Sequence, residues 1–432
     1  MILHNSYDIN HQGRHTIAGC DAVELAREFG TPAYILDEDA VRAQCRMYRR
    51  ALADHFGSGS IPLYASKALC FKEIYRLAAS EGLGADCVSP GELYTAAAAD
   101  FPMERVCFHG NNKTDADIEM ALNLGVGRFV CDNHEELRAI EEFAAARGRR
   151  QRVLLRITPG IDPHTHRKVI TGNVDSKFGS AIVTGQALAI VREALSLPHV
   201  ELIGLHCHVG SQIFDIDPFA DAAEIMLRFI AQLKAELNWE AAELNLGGGF
   251  GVRYTEFDSQ IDYAENIRLI AERIDALCAE IGIARPTVMM EPGRSLVAAA
   301  GATLYTVGSV KEIPGFRNYI SVDGGMPDNP RYALYQSQYT ILNAGRAGEK
   351  REYECTVAGR CCESGDLIAE GAHIQKPERG DILAVLVTGA YNYSMASNYN
   401  RIPRPPIIMI ADGKPRIAVR RESFDDLLRC DL

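Results

Sequence analysis

Lys67 closes a short apolar run, Ile61-Pro62-Leu63-Tyr64-Ala65-Ser66-Lys67-Ala68. A buried strand that ends on an inward-pointing amine is unusual. Burial would lower the pKa of that amine and make it a nucleophile able to form an imine with an aldehyde. A lysine that simply reaches solvent is the plainer reading of this segment alone. Other chemistry-bearing groups recur at the ends of similar runs: Asp86, His109-Gly110-Asn111, Arg156, His206-Cys207-His208, Gly247-Gly248-Gly249-Phe250-Gly251 and Glu291-Pro292-Gly293-Arg294.

Each of these groups offers a definite chemistry. The glycine run lets backbone N–H groups approach an anion, or simply makes a tight turn, and it does not spell the dinucleotide fingerprint. Arg294 carries a fork suited to phosphate or carboxylate. His206 and His208 alternate with Cys207, so both rings leave one face of a strand. They could be core histidines, two ligands of a metal lacking a third at any recognisable spacing, or flat rings for stacking on an aromatic cofactor. Glu291 follows the apolar stretch Thr287-Val288-Met289-Met290. It is either an ion-pair partner of Arg294 or a functional acid, and a carboxylate at a pyridine nitrogen makes that ring an electron sink. Lysine, anion cradle, imidazole and acid together fit one ligand, pyridoxal 5′-phosphate, with no metal.

The elements that must position these groups are legible. Eight β-rich runs follow in series: Ile61 to Ala68, Leu83 to Ser89, Val106 to Gly110, Arg128 to Asp132, Val153 to Ile157, Leu202 to Val209, Leu244 to Gly249 and Val288 to Gly293. Eight is the count of a (β/α)8 barrel, whose chemistry sits at the C-terminal strand ends. The first five start roughly 21–25 residues apart, room for a strand, a helix and two short loops. Ser89 before Pro90 and Glu92, and the cap-type residues before Glu135 and Glu136, mark helix starts. A loop-like insertion, Thr158 to His166, follows the fifth run. After about Ser295 strand-like runs follow one another, among them Ala302 to Val310, Tyr319 to Val322, Tyr353 to Val357 and Ile382 to Thr388. The expected organisation is an N-terminal segment (1–32) packing with a β domain, a barrel (33–295) and a C-terminal all-β domain (296–432).

Composition narrows the partners. A net charge of -12 without a basic stretch argues against nucleic acid. Twelve scattered cysteines with no C-x-x-C pair fit reduced thiols in a cytoplasmic protein. Neither a signal peptide nor a membrane span is expected.

The motifs Tyr64-Ala65-Ser66-Lys67, His206 to Gln212, Leu246 to Gly251, Glu291 to Arg294, Asp323-Gly324-Gly325-Met326, Asn329-Pro330-Arg331, Cys362-Glu363-Ser364-Gly365-Asp366 and Gly389-Ala390-Tyr391 occur in one order. Taken together they resemble the diaminopimelate decarboxylases, fold type III (alanine-racemase-like) pyridoxal-phosphate enzymes, over nearly the whole chain. The resemblance implies decarboxylation of meso-2,6-diaminopimelate to L-lysine and carbon dioxide, the last step of lysine biosynthesis. By it Lys67 carries the Schiff base and His208 stacks on the pyridine. Asp86, Ser211, Gly247, Gly248, Gly249, Pro292, Gly293, Arg294 and Tyr391 belong to the cofactor site, and Glu291 pairs with the ring nitrogen. Arg294, Arg331, Tyr335, Glu363 and Tyr391 contact substrate. Cys362 is the proton donor, supplied by the partner subunit of a homodimer with shared active sites. The doublet Cys361-Cys362 departs from the commoner motif, and alignment on Glu363 selects Cys362. The competing readings are a decarboxylase of the same fold acting on ornithine, arginine, D-amino acids or carboxynorspermidine, a non-catalytic pyridoxal-phosphate binder, and a metal-dependent barrel hydrolase.

Overall fold

The computed structural model describes residues 3–160 and 175–432. The chain divides into two compact units. One comprises Gln44–Gly251 and Gln260–Gly293, the other Met1–Ala43, Val252–Ser259 and Arg294–Leu432.

The first unit holds the eight expected parallel strands: Leu63–Ala65, Gly84–Cys87, Val106–Phe108, Arg128–Cys131, Gln151–Thr158, Val200–His206, Glu243–Asn245 and Thr287–Met289. They pair in chain order. The eighth returns to the first through a parallel bridge between Pro62 and Met290, with the Leu63 N–H donating to the Met290 carbonyl at 2.8 Å. The sheet thereby closes into a barrel. Its strands are apolar because both faces are buried, and Leu63, Cys107, Val130, Leu154 and Met289 form one cluster of its core. The two helix starts read from sequence are present. Ser89 accepts from the Glu92 N–H at 3.2 Å to cap Pro90–Ala97, and Asn133 accepts from the Glu136 N–H at 2.9 Å to cap His134–Ala145. The expected insertion from Thr158 to His166 lies mostly outside the described residues.

The second unit is built on a mixed sheet in the order 367–374, 353–358, 317–322, 301–313, 33–37, 407–411, 414–419, with 382–386 also pairing to 301–313 and 341–343. Strand Ala33–Asp37 runs antiparallel to Gly301–Ile313 and parallel to Ile407–Ala411. These ladders draw everything up to Ala43 into the β unit, so the unit boundary differs from the expected barrel start at residue 33. The short segment Val252–Ser259 joins it as well. Among the described residues no helix is long and apolar enough to cross a membrane.

Candidate active site

The first barrel strand ends at Ala65, and Lys67 sits in the single 3-10 turn Ser66–Ala68 that follows it. The lysine is half-buried rather than enclosed. Its turn is held from below. The Ser66 hydroxyl lies 2.7 Å from Glu92 Oε2 and 2.9 Å from the Asp86 carbonyl oxygen. Glu92 also accepts the Val88 N–H at 2.8 Å, so the carboxylate of a first-turn helix residue fixes the backbone next to Lys67. On the far side, Ala65 N–H donates to the Pro292 carbonyl at 3.1 Å, and a methyl on Gly293 would fall 2.9 Å from Ala65. Pro292 and Gly293 are thus the seam of the barrel beside the lysine. The Lys67 ammonium acts electrostatically on Asp86, Glu92, His206 and His208.

At the adjoining strand ends lies a fully enclosed polar cluster. Glu291 Oε1 is 2.8 Å from His109 Nε2 and accepts from Asn245 Nδ2 at 2.7 Å, while Oε2 lies 3.3 Å from His206 Nε2. Burial pushes the Glu291 carboxyl up. His109 and His206 outweigh it and hold the group well below the usual carboxylate range. Asp86, 3.5 Å from the same His109 nitrogen, is pushed up to about 6 by burial, with His109 opposing and Glu291 reinforcing. Ligand atoms of His109, His206 and Glu291 lie within 4.8 Å of one another, so the structure supplies the third metal-type donor that sequence spacing did not show. A tetrahedral ion with bonds of roughly 2.0–2.2 Å would set its ligand atoms about 3.3–3.6 Å apart, whereas His109 Nε2 and Glu291 Oε1 are 2.8 Å apart, the separation of a hydrogen bond. His206 therefore resolves as a carboxylate partner, and Glu291 as a held anion whose described partners are His109, His206 and Asn245.

His208, two residues further along, is half-buried, and burial with the Lys67 and Arg156 charges keeps its ring neutral, well below its ordinary pKa. The Gly248 N–H donates to His208 Nδ1 at 3.3 Å, which leaves the ring proton on Nε2. The Gly247 N–H donates to Asn245 Oδ1 at 2.9 Å. These two glycines therefore serve close approach more than an open anion cradle. A methyl on Gly248 would sit 2.2 Å from the Glu291 carbonyl oxygen, and one on Gly247 2.8 Å from His208 Nδ1. Gly249 accepts from the Ile213 N–H at 3.0 Å, which pins the loop carrying half-buried Ser211 against the glycine run. Arg156 packs over the Phe178 ring at 4.2 Å with Asp132 3.9 Å away.

The second unit carries its own cluster. Arg294 donates to the Tyr254 hydroxyl at 2.7 Å and lies 4.7 Å from the Tyr391 ring. Arg331, buried in the short helix Arg331–Tyr335, stands 5.3 Å from the same Tyr391 ring and 4.3 Å from Tyr335. Two guanidinium groups thus face one aromatic ring. Tyr391 adopts φ 62°, and β-branched Val387 adopts φ 63°, its N–H donating to the Tyr7 hydroxyl at 3.0 Å. Strained backbone of this kind persists where the surroundings impose it. Cys361, Cys362 and Glu363 form a turn fastened by Asp366 Oδ2, which takes the Cys361 N–H at 2.7 Å, and by Asn400 Oδ1, which takes that of Cys362 at 2.8 Å. Cys362 and Glu363 are exposed. Burial and Asp366 push the half-buried Cys361 thiol up to about 12.

Residues 38–298 match the family model "Pyridoxal-dependent decarboxylase, pyridoxal binding domain". A diaminopimelate decarboxylase of Bacillus subtilis is 44% identical over 432 residues, covering 100% of this chain and 98% of its own. One from Halalkalibacterium halodurans is also 44% identical, with the same coverage. The crystal structure of diaminopimelate decarboxylase from M. jannaschii in complex with L-lysine superposes with a TM-score of 0.91 at 36% identity, over 100% of this chain and 99% of that one. The chain belongs to the diaminopimelate decarboxylase family.

The family's cofactor fits the barrel residues. A half-buried amine stands beside a neutral, half-buried imidazole. A carboxylate held anionic in the interior suits a ring N–H, and Asp86 Oδ1 and His206 Nδ1 are buried without a hydrogen-bond partner among the described residues. Sequence reasoning missed Glu92, Asn245 and Tyr254 as site residues and left His109 without a role. Asn245 was visible as a polar residue within the buried Leu244-Asn245-Leu246 run.

Proposed function

We propose that this chain catalyses pyridoxal-phosphate-dependent decarboxylation of meso-2,6-diaminopimelate to L-lysine and carbon dioxide. The observation that carries this reading is the Lys67 turn placed beside the Asp86–His109–Glu291 cluster at the C-terminal end of the barrel, in a chain of this family. When bound, the cofactor supplies an electron sink for the pair released as carbon dioxide leaves. Lys67 would hold it covalently, and Glu291 would accept its ring N–H. His208 presents a neutral ring on which it would stack, and Ser211, Gly249 and Arg294 would take the phosphate end. Arg331, Tyr335, Glu363 and Tyr391 bind the substrate, with Arg294 close by. The distal end of diaminopimelate carries both an ammonium and a carboxylate, which calls for an acid and a guanidinium together. Ornithine and arginine lack that carboxylate.

Cys362 delivers the proton to Cα. Its exposure, against the half-buried Cys361, supports a donor presented to a second copy of the chain, so the working form is a homodimer with shared sites. Twelve scattered cysteines with no C-x-x-C pair support a cytoplasmic setting. The test has two arms. The purified protein incubated with the cofactor and meso-diaminopimelate releases L-lysine, and borohydride fixes the cofactor on Lys67. A label mapped to another lysine, or turnover of ornithine in preference to diaminopimelate, overturns the assignment.

A further inference from the structure

We infer that the Glu291 carboxylate is oriented by a buried relay of Asp86, His109, Asn245 and His206, and that His109 is the positioning residue which leaves Oε2 as the oxygen facing the cofactor. This rests on the reading of Glu291 as the partner of the pyridine nitrogen.

The two carboxylate oxygens are treated unequally. Oε1 takes two short contacts, 2.8 Å from His109 Nε2 and 2.7 Å from Asn245 Nδ2. Among the described residues Oε2 has only His206 Nε2, at the long distance of 3.3 Å. A carboxylate oxygen has about two lone-pair directions. Oε1 is therefore filled by the protein, and Oε2 keeps a direction open. His109 has to carry its proton on Nε2 to donate to Oε1. Asp86 Oδ1, 3.5 Å from that same nitrogen, favours the proton there. Asn245 is fixed in turn, because its Oδ1 accepts the Gly247 N–H. The rings of His109 and His206 meet edge to face at 4.5 Å, so neither can rotate freely.

Six strand ends and one turn contribute charge or polarity to this cluster: Lys67, Asp86, His109, Arg156, His206, Asn245 and Glu291. Two carboxylates enclosed this closely cannot both stay ionised without a donor between them. His109 is that donor. Its loss removes the first of the influences that hold Glu291 anionic against burial, and a Glu291 that takes up a proton no longer keeps the ring nitrogen protonated.

The experiment loads each variant with cofactor labelled with 15N in the ring and reads the nitrogen resonance across neutral pH, with the cofactor dissociation constant measured alongside. The parent shows the protonated-ring position throughout. His109→Leu moves it toward the unprotonated position and weakens the cofactor about tenfold, by analogy with the loss of an outer-shell partner at a metal site. His109→Gln, which keeps an N–H, restores most of both. Should His109→Leu fail to fold by circular dichroism, Asn245→Ala removes the other donor to Oε1 and moves the resonance the same way. Glu291→Gln is the control for the underlying reading: if it keeps the parent's resonance, Glu291 does not meet the ring nitrogen. If Glu291→Gln moves the resonance while His109→Leu, or in its place Asn245→Ala, leaves it unchanged, that reading stands and the relay is overturned.

Discussion

The division of labour among single residues follows from how each is held. Arg331 is nearly enclosed, yet its Nε has no hydrogen-bond partner among the described residues, and its charge rests on the faces of Tyr335 and Tyr391. A buried guanidinium with a donor to spare suits a carboxylate ligand. Arg331→Ala is expected to impair diaminopimelate turnover while the cofactor still binds. A lost charged hydrogen bond costs on the order of 1.5–3 kcal/mol, a fall of roughly tenfold or more in kcat/KM. Steady-state kinetics beside a cofactor titration check this, and parental kcat/KM would remove Arg331 from the distal-carboxylate role. The neighbouring cysteines differ in the same physical sense. The Cys361 thiol is half-buried against Asp366, whereas Cys362 stands clear on the turn.

At the scale of elements, the barrel was legible because parallel strands buried on both faces read as continuous apolar runs ending in chemistry-bearing residues. The β unit was less so. Strands 367–374 and 414–419 lie at the sheet edges with broken burial, and the buried strand 407–411 takes one of its partners from near the N-terminus. The pairing of Ala33–Asp37 with Ile407–Ala411 links residues almost a chain length apart, so no local pattern could place the boundary after Ala43. For the same reason Lys67 and Glu291 could be read as strand ends, whereas the His109–Asn245–Glu291 contacts could not: three strands must first close a barrel. The N-terminal strand His15–Ile17 has its own consequence. His15 is buried against the Tyr7 ring at 5.6 Å, and burial lowers its pKa from 6.5 to about 4. A folded pKa below the unfolded one means that the unfolded chain binds the extra proton first. Stability is full above pH 6.5 and is lost as pH falls toward 4, by about 3 kcal/mol at most. His15→Phe should flatten this slope. Urea unfolding of both proteins at pH 7 and pH 4.5 measures it, and equal losses in the two would show that His15 is not neutral in the fold.

The whole molecule offers the most stringent test of the shared site. Lys67 belongs to the barrel unit and Cys362 to the β unit. With the two residues meeting across a two-fold interface, each site takes one from each subunit. A Lys67→Ala homodimer then has no covalent anchor in either site, and a Cys362→Ala homodimer has no proton donor. Both are expected to be nearly inactive. A mixed dimer pairs the intact Lys67 of one chain with the intact Cys362 of the other, so one of its sites is complete and the other lacks both residues. Random mixing makes about half the dimers mixed, which returns roughly a quarter of parental activity. Co-expression of the two variants with different affinity tags, two-step purification and a lysine-release assay give the measurement, and purified mixed dimers alone should reach about half. Mass spectrometry confirms their composition. If confirmed mixed dimers stay as inactive as the parents of the cross, either both residues act within one chain or Cys362 is not the donor. A single chain carrying both substitutions, paired with an unaltered chain, distinguishes one-chain action from action across the interface. One-chain action leaves that dimer one working site, and action across the interface leaves it none.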